Sequence, residues 1–114
     1  MAQETEVLGK VKAALQSGNS QMLQNCFAKQ VTINIGEEKG MYKKQETVDV
    51  FAGFFSKYPP VKFEFVHQGD KKDNDLKYSI GQYTHKNGIM VVYMLVGKEG
   101  KGEVVSLMDF GHHE

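Results

Sequence analysis

The sequence has no arginine, no tryptophan, a single cysteine and two prolines. All 14 basic residues are lysine, so the bidentate guanidinium that reads phosphates, guanine edges and buried carboxylates is missing. Fourteen acidic residues balance them to a formal net charge of zero. No excess of cation is left to hold a polyanion, and nucleic acid is not an expected partner. One thiol, Cys26, supports neither an internal disulfide nor a cysteine-based zinc site. No apolar run approaches the ~18–20 residues that cross a bilayer, so no membrane span is expected. The opening Met1-Ala2-Gln3-Glu4 has no apolar leader segment. An Ala-Gln-Glu start behind Met would suit a secreted or periplasmic chain whose leader has been removed; the compartment is otherwise open.

What is present suits one domain. A chain of 114 residues, 40% apolar and 25% charged, can bury a single core, and it shows no repeat, linker or low-complexity segment. The expected domain is 1–114, with residues 1–4 and 111–114 as flexible ends. Val7, Leu8, Val11, Ala14 and Leu15 fall on one stripe of period 3.6 and predict a helix, ended by Gly18-Asn19. Asn19 or Ser20 caps a second, short helix carrying Met22, Leu23, Cys26 and Phe27. Val31 to Ile35 alternates as a strand and turns back through Gly36–Gly40 into a short strand with Met41 and Tyr42. A third helix carries Val48, Phe51, Ala52 and Phe55, widened by Val50 and Phe54, and stops at Tyr58-Pro59-Pro60. Four strands follow: Val61–His67, Leu76–His85, Ile89–Val96 and Val104–Phe110. The order predicts an α+β fold, a curved antiparallel sheet with three helices on its concave face.

Register assigns faces. A two-residue turn at Asn87-Gly88 groups Ile80, Gln82, Thr84, Val91, Tyr93 and Leu95 on one side, and Ser79, Tyr83, Met90, Val92, Met94 and Val96 on the other. Even register in the neighbouring strands adds Val61, Phe63, Phe65, His67, Val105, Leu107 and Asp109 to the first. Its Leu, Ile and Phe side chains suit the helices, so it is expected to be the inner, concave face. The second, with Met108, is then the outer one.

Gly40-Met41-Tyr42 leading into a helix that ends Phe54-Phe55, then Pro59-Pro60, His67-Gln68-Gly69 and Lys77-Tyr78-Ser79-Ile80-Gly81, resemble the nuclear-transport-factor-2-like superfamily over roughly residues 5–110. More narrowly they resemble a family of small bacterial proteins of unknown function. The resemblance implies the cone-shaped α+β fold. That superfamily holds isomerases, dehydratases, hydrolases, transport factors and non-catalytic binders, so fold alone does not assign an activity; no catalytic motif is carried over.

The expected ligand-binding residues are Tyr42, Phe55, Phe65, His67, Tyr78, Gln82, Tyr93 and Asp109, converging in a cone also lined by Phe51 and Phe63. Such a cavity suits an apolar or aromatic small molecule with one or two polar groups. The expected outer face of Tyr83, Met90, Val92, Met94 and Met108 has no helix left to cover it and suits a homodimer formed sheet against sheet. No cofactor or metal site is expected. Asp70, Asp73 and Asp75 crowd a loop with two lysines and lack the EF-hand spacing. His112 and His113 belong to a polar tail, the glycines at 97, 100 and 102 join strands instead of opening a helix, and Cys26 reads as a buried thiol. Three functions remain in view. One is a non-catalytic binder of a small molecule or a homodimer partner. Another is an isomerase or dehydratase with Asp109 as base and Tyr93 as acid. The third is a structural module with a filled cone.

Overall fold

The computed structural model describes residues 6–71, 76–100 and 102–112. Asp73, Asp75 and His113 lie outside the described residues, as do the side chains of Asp70 and His112. The chain runs α1 (Glu6–Ser17), α2 (Ser20–Gln24), β1 (Phe27–Ile35), β2 (Glu38–Lys43), a short 3-10 turn (Lys44–Glu46), α3 (Thr47–Lys57), β3 (Pro60–Lys71), β4 (Leu76–His85), β5 (Gly88–Glu99) and β6 (Gly102–His112). This is the α+β element order expected. The sheet order is β2-β1-β6-β5-β4-β3. β1 and β6 pair in parallel while every other neighbour is antiparallel, so the sheet is mixed and not wholly antiparallel. A parallel pair needs a long crossover, and here residues 36–101 separate its two strands.

Local signals act as read in α1, whose buried stripe is Val7, Leu8, Val11, Ala14 and Leu15. Gly18 follows it at φ +71°, the left-handed conformation that closes helices at small cost only for glycine. The Asn19 side chain accepts from the Met22 N–H at 3.0 Å and so caps α2. Cys26 and Phe27 are buried, but α2 ends before them and β1 begins at Phe27. In α3 the buried residues are Thr47, Phe51, Phe54 and Phe55; Ala52, expected on the stripe, is exposed.

In β4 and β5 the two faces of the sheet divide into the expected sets, but the helices cover the opposite one. Tyr83, Met90, Val92, Met94 and Met108, expected to face outward as a dimer surface, are all 0% exposed and form the core with Phe63 and Phe110. Gln82, Tyr93 and Asp109, expected to point into the cone, stand on the outer side. The reason is shape. Three phenylalanines of α3 need partners that fill irregular space, and Tyr83, Phe110 and the flexible methionines do so. Phe54 packs on Phe110 at 4.6 Å and on Tyr83 at 5.3 Å between ring centroids, while Phe51 meets Phe27, Phe55 and Phe110 within 6 Å. Tyr83 also donates its hydroxyl to the Tyr58 carbonyl at 2.6 Å, and its burial raises the phenol well above its ordinary value.

Two of the sheet's register shifts split strands expected to alternate throughout. A register shift between Phe65 and His67 leaves Phe63 and Phe65 on the helix side and turns His67 outward. Another, opposite Leu95–Val96, places Val105 inside and Leu107 and Asp109 outside. Such bulges reverse facing without any change in hydrophobic pattern. The β4–β5 turn also slides: His85 pairs with Gly88, so Lys86 and Asn87 form the turn. The Asn87 N–H donates to His85 Nδ1 at 3.2 Å, and the His85 ring is anchored edge-on to Tyr58 at 5.0 Å.

Candidate functional site

The side of the sheet beneath the helices carries the buried core. Its buried polar residues are Thr47, Ser79 and His85; among the described residues no carboxylate is buried there. The eight residues expected to meet in one cavity lie in three places. Phe55 is in the core and Phe65 is half-buried beside it, edge-on to Phe63 at 4.9 Å. Tyr42 stands on the helix side of β2 opposite Val31. His67, Tyr78, Gln82, Tyr93 and Asp109 are on the outer face. There His67 Nε2 and the Tyr78 hydroxyl lie 2.9 Å apart, and Tyr78 stacks on Tyr93 at 6.2 Å. Asp109 and Tyr93, the expected acid–base pair, are direct neighbours across β5 and β6, but outside the cone.

Two surfaces are built from these elements. The first is a half-open cleft of about 500 Å³ between α3 and the β1–β2 hairpin. Ile33, Ile35 and Val50 supply its apolar floor, and Phe54, Tyr42 and Tyr58 its aromatic walls. Glu37 and Glu38 stand on its hairpin rim, with Lys57 across from them on α3. The alternation of β1 sends Ile33 and Ile35 to this side, and the Pro-Pro stop leaves Tyr58 at its edge. Of these lining residues only Tyr42 is among the ligand-binding residues expected from the sequence. The alternation of Val31, Ile33 and Ile35 was the signal available for the others.

The second surface is the outer face of the sheet. Pairing across all six strands aligns one row as Met41, Thr32, Leu107, Leu95, Tyr78 and Gly69. The adjacent row is Lys39, Asn34, Asp109, Tyr93, Ile80 and His67. Leu107, Leu95, Tyr78, Tyr93 and Ile80 thus form an apolar belt on β6, β5 and β4, with Met41 beyond Thr32 on the same side, each with side-chain surface still open to solvent. Lys39, Asp109, Gln82 and Glu64 edge it. Ile80, Leu95 and Leu107 had been assigned to the core because Leu and Ile look like core residues in sequence; the bulges and the aromatic demand of α3 put them outside.

Cys26 is 1% exposed, and its Sγ lies 3.6 Å from the Met22 carbonyl oxygen. Burial pushes the thiol from 9.0 up to about 11, with Lys10 and Lys44 opposing. The folded chain therefore holds this proton more tightly than the unfolded chain. That contribution to stability is complete below about pH 9 and disappears as pH rises through 11. Urea midpoints measured across that window should fall more steeply for the native sequence than for Cys26→Ala; equal slopes would remove the thiol from the alkaline loss. Among the described residues no group of three His, Cys, Asp or Glu is placed to hold a metal ion, and no helix is long and apolar enough to cross a membrane.

Comparison with known proteins places this architecture. Residues 8–110 match the family model described as a domain of unknown function, DUF4783. A DUF4783 family protein from Bacteroides uniformis is 25% identical, with a TM-score of 0.84 over 93% of this chain and 96% of that one. One from Bacteroides ovatus is 21% identical, with a TM-score of 0.83 over 92% and 94%. An NTF2-like protein of unknown function from Shewanella baltica is 17% identical, with a TM-score of 0.71 over 96% and 90%. No curated protein matches the chain. The matched segment takes in every strand and helix core described above, and the chain belongs to the DUF4783 family, with the nuclear-transport-factor-2-like fold.

Proposed function

We propose that this domain works by association, docking a second copy of itself through the outer face of its sheet. The belt of Met41, Leu107, Leu95, Tyr78, Tyr93 and Ile80 carries this reading. It has the make-up of a protein interface: a central apolar strip with two tyrosines, a methionine at one end, and few charges, of which Asp109 adjoins Tyr93. Lone exposed apolar residues need no explanation, but a strip of five on the adjacent strands β4, β5 and β6 does. At about 4.8 Å between strands and about 3.4 Å per residue, the two rows and their margins cover roughly 25 Å by 20 Å, about 500 Å² of each copy. Two such faces bury about 1,000 Å² together, at the lower bound for a specific interface, so association of micromolar strength is expected. A core with no buried carboxylate among the described residues, and an outward Asp109, favour binding over acid–base chemistry inside the domain.

Light scattering across micromolar to millimolar protein tests this. The native chain should move from monomer to dimer, and Leu95→Lys should stay monomeric with its circular dichroism unchanged. A native chain that remains monomeric throughout, or a dimer indifferent to Leu95→Lys, would falsify the proposal.

A further inference from the structure

We infer that the cleft between α3 and the β1–β2 hairpin is a binding site for a flat aromatic molecule bearing a positive charge. The site is separate from the sheet face and does not depend on self-association. Its volume, about 500 Å³, falls within the range of small-molecule sites. The floor of Ile33, Ile35 and Val50 supplies apolar area. Tyr42 and Tyr58 are wall residues whose ring faces attract a cation through their quadrupoles. The Tyr58 ring already draws one cation, Lys57 Nζ at 5.4 Å from its centre, which a ligand ammonium would displace there, while Tyr42 stands on β2 away from it.

The rim sets the sign. Glu37 and Glu38 stand on the hairpin side, with Glu38 paired to Ile35 so that it points to the helix side of β2. Lys57 is the one cation among the lining residues. The last turn of α3 borders the cleft through Phe54 and Lys57, and the carbonyl end of a helix adds partial negative charge. The balance favours an ammonium over a carboxylate on the same ring system.

Gly53 provides a clean block. It is exposed in the middle of α3 and lines the cleft, and a Cβ built on it meets no atom within 4 Å. A larger side chain there would occupy the site, and it would raise the helix propensity of α3.

Nuclear magnetic resonance titration with a matched pair of probes, 1-naphthylmethylamine and 1-naphthoate, tests the inference. The amine should shift backbone amide signals confined to residues 33–38, 42 and 50–58, with an affinity about tenfold above that of the acid. Gly53→Phe, folded by its own spectrum, should lose those shifts. Glu37→Lys combined with Glu38→Lys, both at exposed positions, should reverse the preference between the probes. The inference is overturned if the amine gives no shifts in the cleft, gives shifts only on the sheet face, or binds folded Gly53→Phe as well as the native chain. An unchanged order of affinities in the double lysine variant also overturns it. None of these outcomes depends on whether the chain dimerises.

Discussion

Met94→Lys unfolds the domain. Met94 is 0% exposed and lies in β5 between Ser79 of β4 and Met108 of β6, beneath the helices. No carboxylate is buried among the described core residues to receive an ammonium there. An unpaired buried charge costs several kcal/mol after all relaxation, a large part of the ~5–15 kcal/mol that holds a domain of this size together. Leu95→Lys, one position further, points to the opposite side and keeps the fold. Far-ultraviolet circular dichroism and urea denaturation of the two variants separate the faces directly. A Met94→Lys protein that unfolds cooperatively near the native midpoint would mean that the methionines face solvent after all.

Gly81→Ala is the second severe change. Gly81 pairs with Phe65 on one side and Val92 on the other. A Cβ on it would lie 2.4 Å from the Phe63 ring and 2.9 Å from the Glu64 carbonyl oxygen. Phe63 is fully buried, so its ring has little freedom to retreat, and the carbonyl belongs to the β3 ladder. Overpacking of this kind costs about 1–3 kcal/mol, and the contact with backbone puts Gly81→Ala at the upper end. Phe63→Leu alone opens space and also destabilises. Together the two should cost less than the sum of their separate effects, because the smaller side chain relieves the clash. A double variant whose loss equals that sum would show that Gly81 is required for some reason other than the Phe63 ring.

Much of the fold was legible because helices and strands advertise themselves locally. The α1 stripe, Asn19 at the cap of α2, the Pro59-Pro60 stop on α3 and the order of six strands all appear in the structure where the chain carries those signals. Side-chain alternation also sorted most sheet residues correctly into two sets. It failed where a single extra residue interrupts it, near Val66 and Ser106, and so His67 and Phe63 were placed together although they lie on opposite sides. It failed also at the choice of which set the helices cover. Both sets are apolar: one rich in Leu, Ile and Val, the other in Met, Phe and Tyr. Transfer free energy hardly separates them. The cleft was harder still to read, since its walls come from β1, β2 and the last turn of α3, and only Tyr42 among them had been linked to a ligand.

The chain by itself determined its class, its element order and the partition of each strand into alternating positions, since these follow from periodicity and from turn and capping residues acting within a few positions of one another. Which side of the sheet is core, where the bulges reverse it, and that a cleft opens beside α3 were decided only on packing. Those outcomes depend on whether three phenylalanines on a helix fit better against Tyr83, Met94 and Phe110 than against Tyr93, Leu95 and Leu107, a matter of shape in three dimensions that hydrophobicity along the chain does not record.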